Sequence, residues 1–116
     1  MMDEFNELEI AIFKWFQENY ANHQLSTQLQ AAKLKHREWT GVGFFIDLDI
    51  PKDLQPINIG DFKKHWPIHG PTLRSADIEY DGGSILWGEA GYIISLEMYA
   101  FGDFFKEHVR EFSLLP

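Results

Sequence analysis

From Phe44 to Ile50 the chain alternates strictly, with Phe44, Ile46, Leu48 and Ile50 on one side and Phe45, Asp47 and Asp49 on the other. A period of two marks a strand with one buried side and one solvent-facing side. Pro51 ends it. Residues 83–89 and 92–99 are β-rich runs on either side of Ala90-Gly91, a dipeptide that can take the positive φ of a tight connection, so together they predict a β-hairpin. In its second strand Tyr92, Ile94, Leu96 and Met98 form the expected core side, with Ile93, Ser95, Glu97 and Tyr99 opposite. A further strand is predicted where Ala76, Ile78 and Tyr80 alternate with Asp77 and Glu79, followed by a turn at Asp81-Gly82-Gly83.

The period is different at the start of the chain. Phe5, Leu8, Ile12, Trp15 and Phe16 recur at three and four residues, and Ile10 and Phe13 widen the stripe, which predicts a helix over about residues 4–20 lying across a sheet. Asp3 is the expected N-cap, and Glu4, Glu7 and Glu9 add negative charge where the helix dipole favours it. Residues 26–34 have helical propensity, but a strand is expected from residue 33 to about 40, with Gly41-Val42-Gly43 as a bend or bulge before the next strand. Residues 51–72 hold four of the five prolines with Gly60 and Gly70, so they predict one long irregular connection that is mobile or binds. Phe104, Val109 and Phe112 surround a short turn or helical segment, and residues 111–115 add an edge strand.

One helix followed by strands joined through turns points to an α+β domain, the N-terminal helix packed on a largely antiparallel sheet of five or six strands. Residues 1–116 suit one domain, since domains cluster near ~100–150 residues. Aromatic residues make up 16% of the chain, so large rings should dominate the core. Eighteen acidic against ten basic side chains give a net charge of −8, which opposes nucleic-acid binding through phosphate repulsion and fits either simple solubility or docking of a basic protein. With no apolar run near ~20 residues and an acidic N-terminus, neither a membrane span nor a signal peptide is expected. The absence of cysteine removes disulfides and thiolate chemistry and fits a cytoplasmic protein.

The residues Arg37-Glu38-Trp39-Thr40-Gly41-Val42-Gly43-Phe44-Phe45, followed by Leu86–Tyr92 and Leu96-Glu97-Met98-Tyr99, carry a resemblance. The pattern R-x-[FW]-T-G-x-G-F-F with a later L-E-x-Y resembles a set of small uncharacterised bacterial proteins, over roughly residues 29–115. It implies a shared fold and no activity. In size and charge the chain is also similar to immunity proteins of bacterial toxin systems. After Leu96-Glu97-Met98-Tyr99 the pattern often continues with proline, whereas this chain has Ala100-Phe101-Gly102-Asp103-Phe104-Phe105.

Few residues suggest chemistry. His65 and His69 have the i,i+4 spacing of a helical zinc pair, but Pro67 between them breaks such a helix, so no metal site is expected. Ser84 and Ser95 lack a nucleophile-elbow context, and no phosphate loop or dinucleotide fingerprint is present. No catalytic residue and no cofactor is assigned, and an enzyme is not the favoured reading. His36 and Glu38 are expected to share one strand face while Arg37 points elsewhere, with inter-strand ion pairs as the use of Arg37 and Glu38, and a hydrogen bond to Arg37 or to backbone as that of Glu97.

The leading expectation is a protein-binding protein, in concrete form an immunity protein that occludes a basic toxin. Its partner-binding candidates are Asp47, Asp49 and Asp53, or Asp77, Glu79 and Asp81, with Trp66 or Phe45 as apolar anchor. The alternative is a small-ligand or enzymatic pocket built on Arg37, Glu97, Tyr99 and the 60–71 loop. A third reading is a self-associating subunit.

Overall fold

The computed structural model describes residues 4–58 and 66–116, with Trp66 as backbone only. Two helices, α1 (Glu7–Asn19) and α2 (His23–Ala31), precede seven strands: β1 (Lys33–Trp39), β2 (Gly43–Asp49), β3 (Trp66–His69), β4 (Thr72–Arg74), β5 (Gly82–Glu89), β6 (Tyr92–Ala100) and β7 (Ser113–Leu115). This is the α+β architecture expected, with a second helix added. Helix α1 begins later than predicted, because Asn6 and Glu9 cap it reciprocally: Glu9 N donates to Asn6 Oδ1 at 2.8 Å and Asn6 N to Glu9 Oε1 at 3.0 Å. Asp3, the expected cap, lies outside the described residues. Helix α2 is capped by Asn22, whose side chain accepts from Leu25 N at 2.9 Å.

All strand pairs are antiparallel, in the order β1-β2-β6-β5-β4-β7, with β3 also paired to β5. Strands β3 and β4 run in tandem along β5, residues 66–69 against 85–88 and Leu73 against Gly82, with Gly70-Pro71 between them. Pro67 is tolerated because β3 is an edge segment whose other side has no paired strand among the described residues. The expected single irregular connection over 51–72 is therefore partly sheet. Its first part is also tied down: Ile57 is buried, and its N–H donates to Gly91 O at 2.7 Å. Residues 59–65, with His65, lie outside the described residues.

The β5–β6 hairpin closes through Ala90 (φ 54°) and Gly91 (φ 85°), the two left-handed residues that a two-residue connection requires. Along β6 the predicted alternation breaks. Trp87 pairs with Ser95 and Gly88 with Ile93, leaving Ile94 as the extra residue of a bulge. Ile93 is therefore buried with Leu96 and Met98, while Ile94 is only half-buried. The predicted strand over 76–80 is instead a pair of turns with one isolated bridge, Ile78 to Phe105. Tyr80 and Asp81 both have left-handed backbone (φ 54° and 65°), which no strand accommodates. Gly82 and Gly83, expected in a turn, begin β5.

The core lies between the helices and one face of the sheet. Leu8, Ile12, Phe13 and Phe16 of α1 and Leu25 and Leu29 of α2 pack with Phe44, Ile46, Leu48, Leu86, Ile93, Leu96 and Met98. Each such side chain contributes about 1.5–3 kcal/mol on full burial. Two polar side chains are fully buried among them. Gln28 accepts from Ile93 N at 3.0 Å and donates to Gln55 O at 3.0 Å and Gly91 O at 3.1 Å, tying α2 to both the hairpin turn and the 51–58 segment. Glu9 is the second, held by its cap and by Arg37. No helix among the described residues is long and apolar enough to cross a membrane.

Candidate protein-binding face

Because the core takes every second residue of the central strands, the intervening residues share the face turned away from the helices. Strand register aligns them into rows. One row runs His36, Asp47, Ser95, Trp87, Pro67, and the next runs Glu38, Phe45, Glu97, Ile85, His69. A third places Tyr99 between Gly43 and Gly83. The Tyr99 ring lies along Gly83, where a Cβ would meet its Cζ at 2.5 Å, so glycine at that position lets the ring lie flat on the sheet. Phe101 extends this aromatic surface, its ring centroid 5.9 Å from that of Tyr99.

The face is both acidic and aromatic. Phe45 is 43% exposed and sits between the carboxylates of Glu38 and Glu97 in its row. Glu97 is oriented by the Trp87 indole, whose Nε1–H donates to Glu97 Oε1 at 3.0 Å. Asp47 stands opposite His36 and Ser95, and Asp49 opposite Lys33. Lys35 and Lys52 line the cleft that holds Asp47 and Asp49, so the acidic character is concentrated at Glu38 and Glu97 beside the exposed ring, a pairing that suits a cationic group and also buries apolar area.

The structure corrects the expected bond between Arg37 and Glu97 and gives Arg37 a helix partner in place of an inter-strand one. The register partner of Arg37 is Ile46, whose side chain is in the core, so Arg37 points to the helices and not towards Glu38 or Glu97. There its Nε donates to Glu9 Oε2 at 2.8 Å and its Nη2 to Glu9 Oε1 at 2.5 Å, with a further bond to Glu4 O at 3.0 Å. Its hydrogen bonds to the Glu9 carboxylate raise the guanidinium pKa above its ordinary value. Arg37 and Glu97 thus lie on opposite sides of the sheet, and the pocket expected from Arg37, Glu97 and Tyr99 does not converge. Glu97 and Tyr99 remain together on the outer face.

The second acidic set sits in the turn before β5 and is engaged locally. Arg74 Nη2 donates to Asp81 Oδ2 at 2.9 Å, Lys106 pairs with Asp77 at 3.2 Å, and Glu79 Oε1 accepts from Asp103 N at 2.7 Å. Hydrogen bonding from Arg74 lowers the Asp81 pKa, and the Arg110 backbone N–H followed by Lys106 lowers that of Asp77. Asp53 lies elsewhere, in an open cleft of about 380 Å³ with His23, Gln24, Thr27, Leu54 and Gln55. Trp66 pairs by backbone with Gly88, and its side chain is outside the description. Ser84 is buried and donates to Pro71 O at 2.9 Å, a structural role.

Sequence reasoning placed Glu38 on the strand face opposite Arg37, as observed, but did not count it among the partner-binding residues. It also missed Tyr80 and Phe101, which are 79% and 57% exposed. The alternation of Tyr99 with Phe101 was the available signal for Phe101. No family model, no curated protein and no solved structure matches the chain.

Proposed function

We propose that this chain is a small protein-binding protein that engages a basic partner through the outer face of its sheet. Its concrete form is immunity in the bacterial cytoplasm, in which the face covers the cationic active surface of a toxin and inhibits it by occlusion. The observation that carries the reading is the row Glu38, Phe45, Glu97, where two carboxylates flank a ring that is 43% exposed. The carboxylates supply long-range attraction, and the ring supplies apolar area to anchor contact.

The experiment is capture of the tagged protein's partner from its native cell, followed by titration of the purified pair at low and high salt. The reading predicts a stoichiometric basic protein whose affinity falls as salt rises. Recovery of the protein alone, or of a partner bound with no salt dependence, would contradict it.

A further inference from the structure

The ring of Phe45 has a carboxylate on each side in its row, Glu38 from β1 and Glu97 from β6. With neighbouring strands about 4.8 Å apart, the two glutamate backbones are about 10 Å apart with the ring between them. The Trp87 indole holds one oxygen of Glu97, which fixes that carboxylate and leaves Oε2 without a partner among the described residues. Glu38 is exposed and makes no hydrogen bond or ion pair among the described residues. Phe45 is 43% exposed, so part of its ring is open to a cation that can donate to a neighbouring acid from the same place.

We propose that this face anchors an arginine of the partner, its guanidinium stacked on Phe45 and donating to Glu97 and Glu38. The proposal rests on the reading of the face as a surface for a basic protein and specifies which cation it takes. A guanidinium is planar, weakly hydrated and carries its donors in a fork, so it stacks on a ring and bonds a carboxylate in the same pose. An ammonium is compact and strongly hydrated, and gains less from the ring. Charge complementarity with Glu38 and Glu97 commits the occupant to an arginine-bearing segment.

The test uses blocked hexa-arginine and hexa-lysine peptides, equal in charge, titrated separately into the isotopically labelled full chain at low ionic strength. The expected result is perturbation of the Phe45 and Glu97 amides and the Trp87 indole N–H, with about fivefold tighter binding of the arginine peptide. Phe45→Leu should remove that preference and leave the rest of the spectrum in place. Equal affinities at this face would overturn the arginine assignment and leave the basic-partner reading standing. Perturbations centred elsewhere, or no binding of the arginine peptide, would also overturn it, and partner capture tests the broader reading independently.

Discussion

Arg37 of β1 and Glu9 of α1 form a two-pronged ion pair, with Nε to Oε2 at 2.8 Å and Nη2 to Oε1 at 2.5 Å. The Glu9 side chain is fully buried, and that of Arg37 is 29% exposed. Glu9 also accepts the Asn6 N–H, so one carboxylate starts α1 and docks it on the edge strand. Removing Arg37 leaves the fully buried Glu9 carboxylate without its counter-charge.

Arg37→Ala should therefore destabilise the fold by about 3–5 kcal/mol in urea unfolding. Arg37→Met with Glu9→Leu should cost less than Arg37→Ala alone, because no buried charge remains. A loss under about 1 kcal/mol for Arg37→Ala would mean that the pair behaves as an exposed one.

Gln28 links three backbone groups through one amide. Gln28→Leu leaves the Ile93 N–H without its acceptor and should cost about 1–3 kcal/mol. Amide exchange offers a sharper readout: the Ile93 N–H should lose protection while Leu96, in the same strand, keeps it. Equal protection at both sites would contradict the assigned role.

The acidic side of the stability profile follows from three carboxylates. Glu4 is lowered chiefly by the Leu34 N–H, Asp77 chiefly by the Arg110 N–H, and Asp81 by Arg74. A lowered folded-state pKa means that stabilisation is fully present above the ordinary values of 4.5 for Glu4 and 3.8 for the aspartates. It is lost as pH falls through the lower folded values. Thermal unfolding should thus be insensitive to these groups at neutral pH, and Asp81→Asn should flatten the acid limb. An unchanged acid limb in that variant would remove Asp81 from the account.

The hairpin turn invites a stabilising change. Ala90 has a φ of 54°, a region that costs an ordinary residue roughly 1–2 kcal/mol and that asparagine enters more readily. Ala90→Asn creates the Asn-Gly pair favoured in two-residue hairpins and should raise the melting temperature. A fall would show that the Ala90 side chain makes contacts the turn needs.

Local patterns carried much of the fold. Alternation over 44–50 and the Ala90-Gly91 turn were enough to place β2 and the central hairpin, because both signals lie within a few residues. The cap at Asn6 was equally local, written as Asn6-x-x-Glu9, but Asp3 competed for the same role. The bulge at Ile94 was not local, since it exists only in the pairing of β6 with β5. Alternation at 76–80 misled because Ile78 alone is buried there, while Tyr80 is held out by its left-handed backbone.

The candidate site divides in the same way. Asp47 and Phe45 could be assigned to the solvent side from β2 alone. That Arg37 and Glu97 face opposite ways depends on a register across β1, β2 and β6, and the partner of Arg37 lies 28 residues earlier in the chain.

The most direct measurement is the affinity of the captured basic partner for Glu97→Lys and for Glu18→Lys, the latter an exposed charge on α1. Both substitutions change net charge equally, so only location distinguishes them. The account predicts at least about a tenfold loss for Glu97→Lys, within the range for reversing a charge at an interface, and little change for Glu18→Lys. Equal effects from the two, or a loss confined to Glu18→Lys, would contradict the outer sheet face as the binding surface.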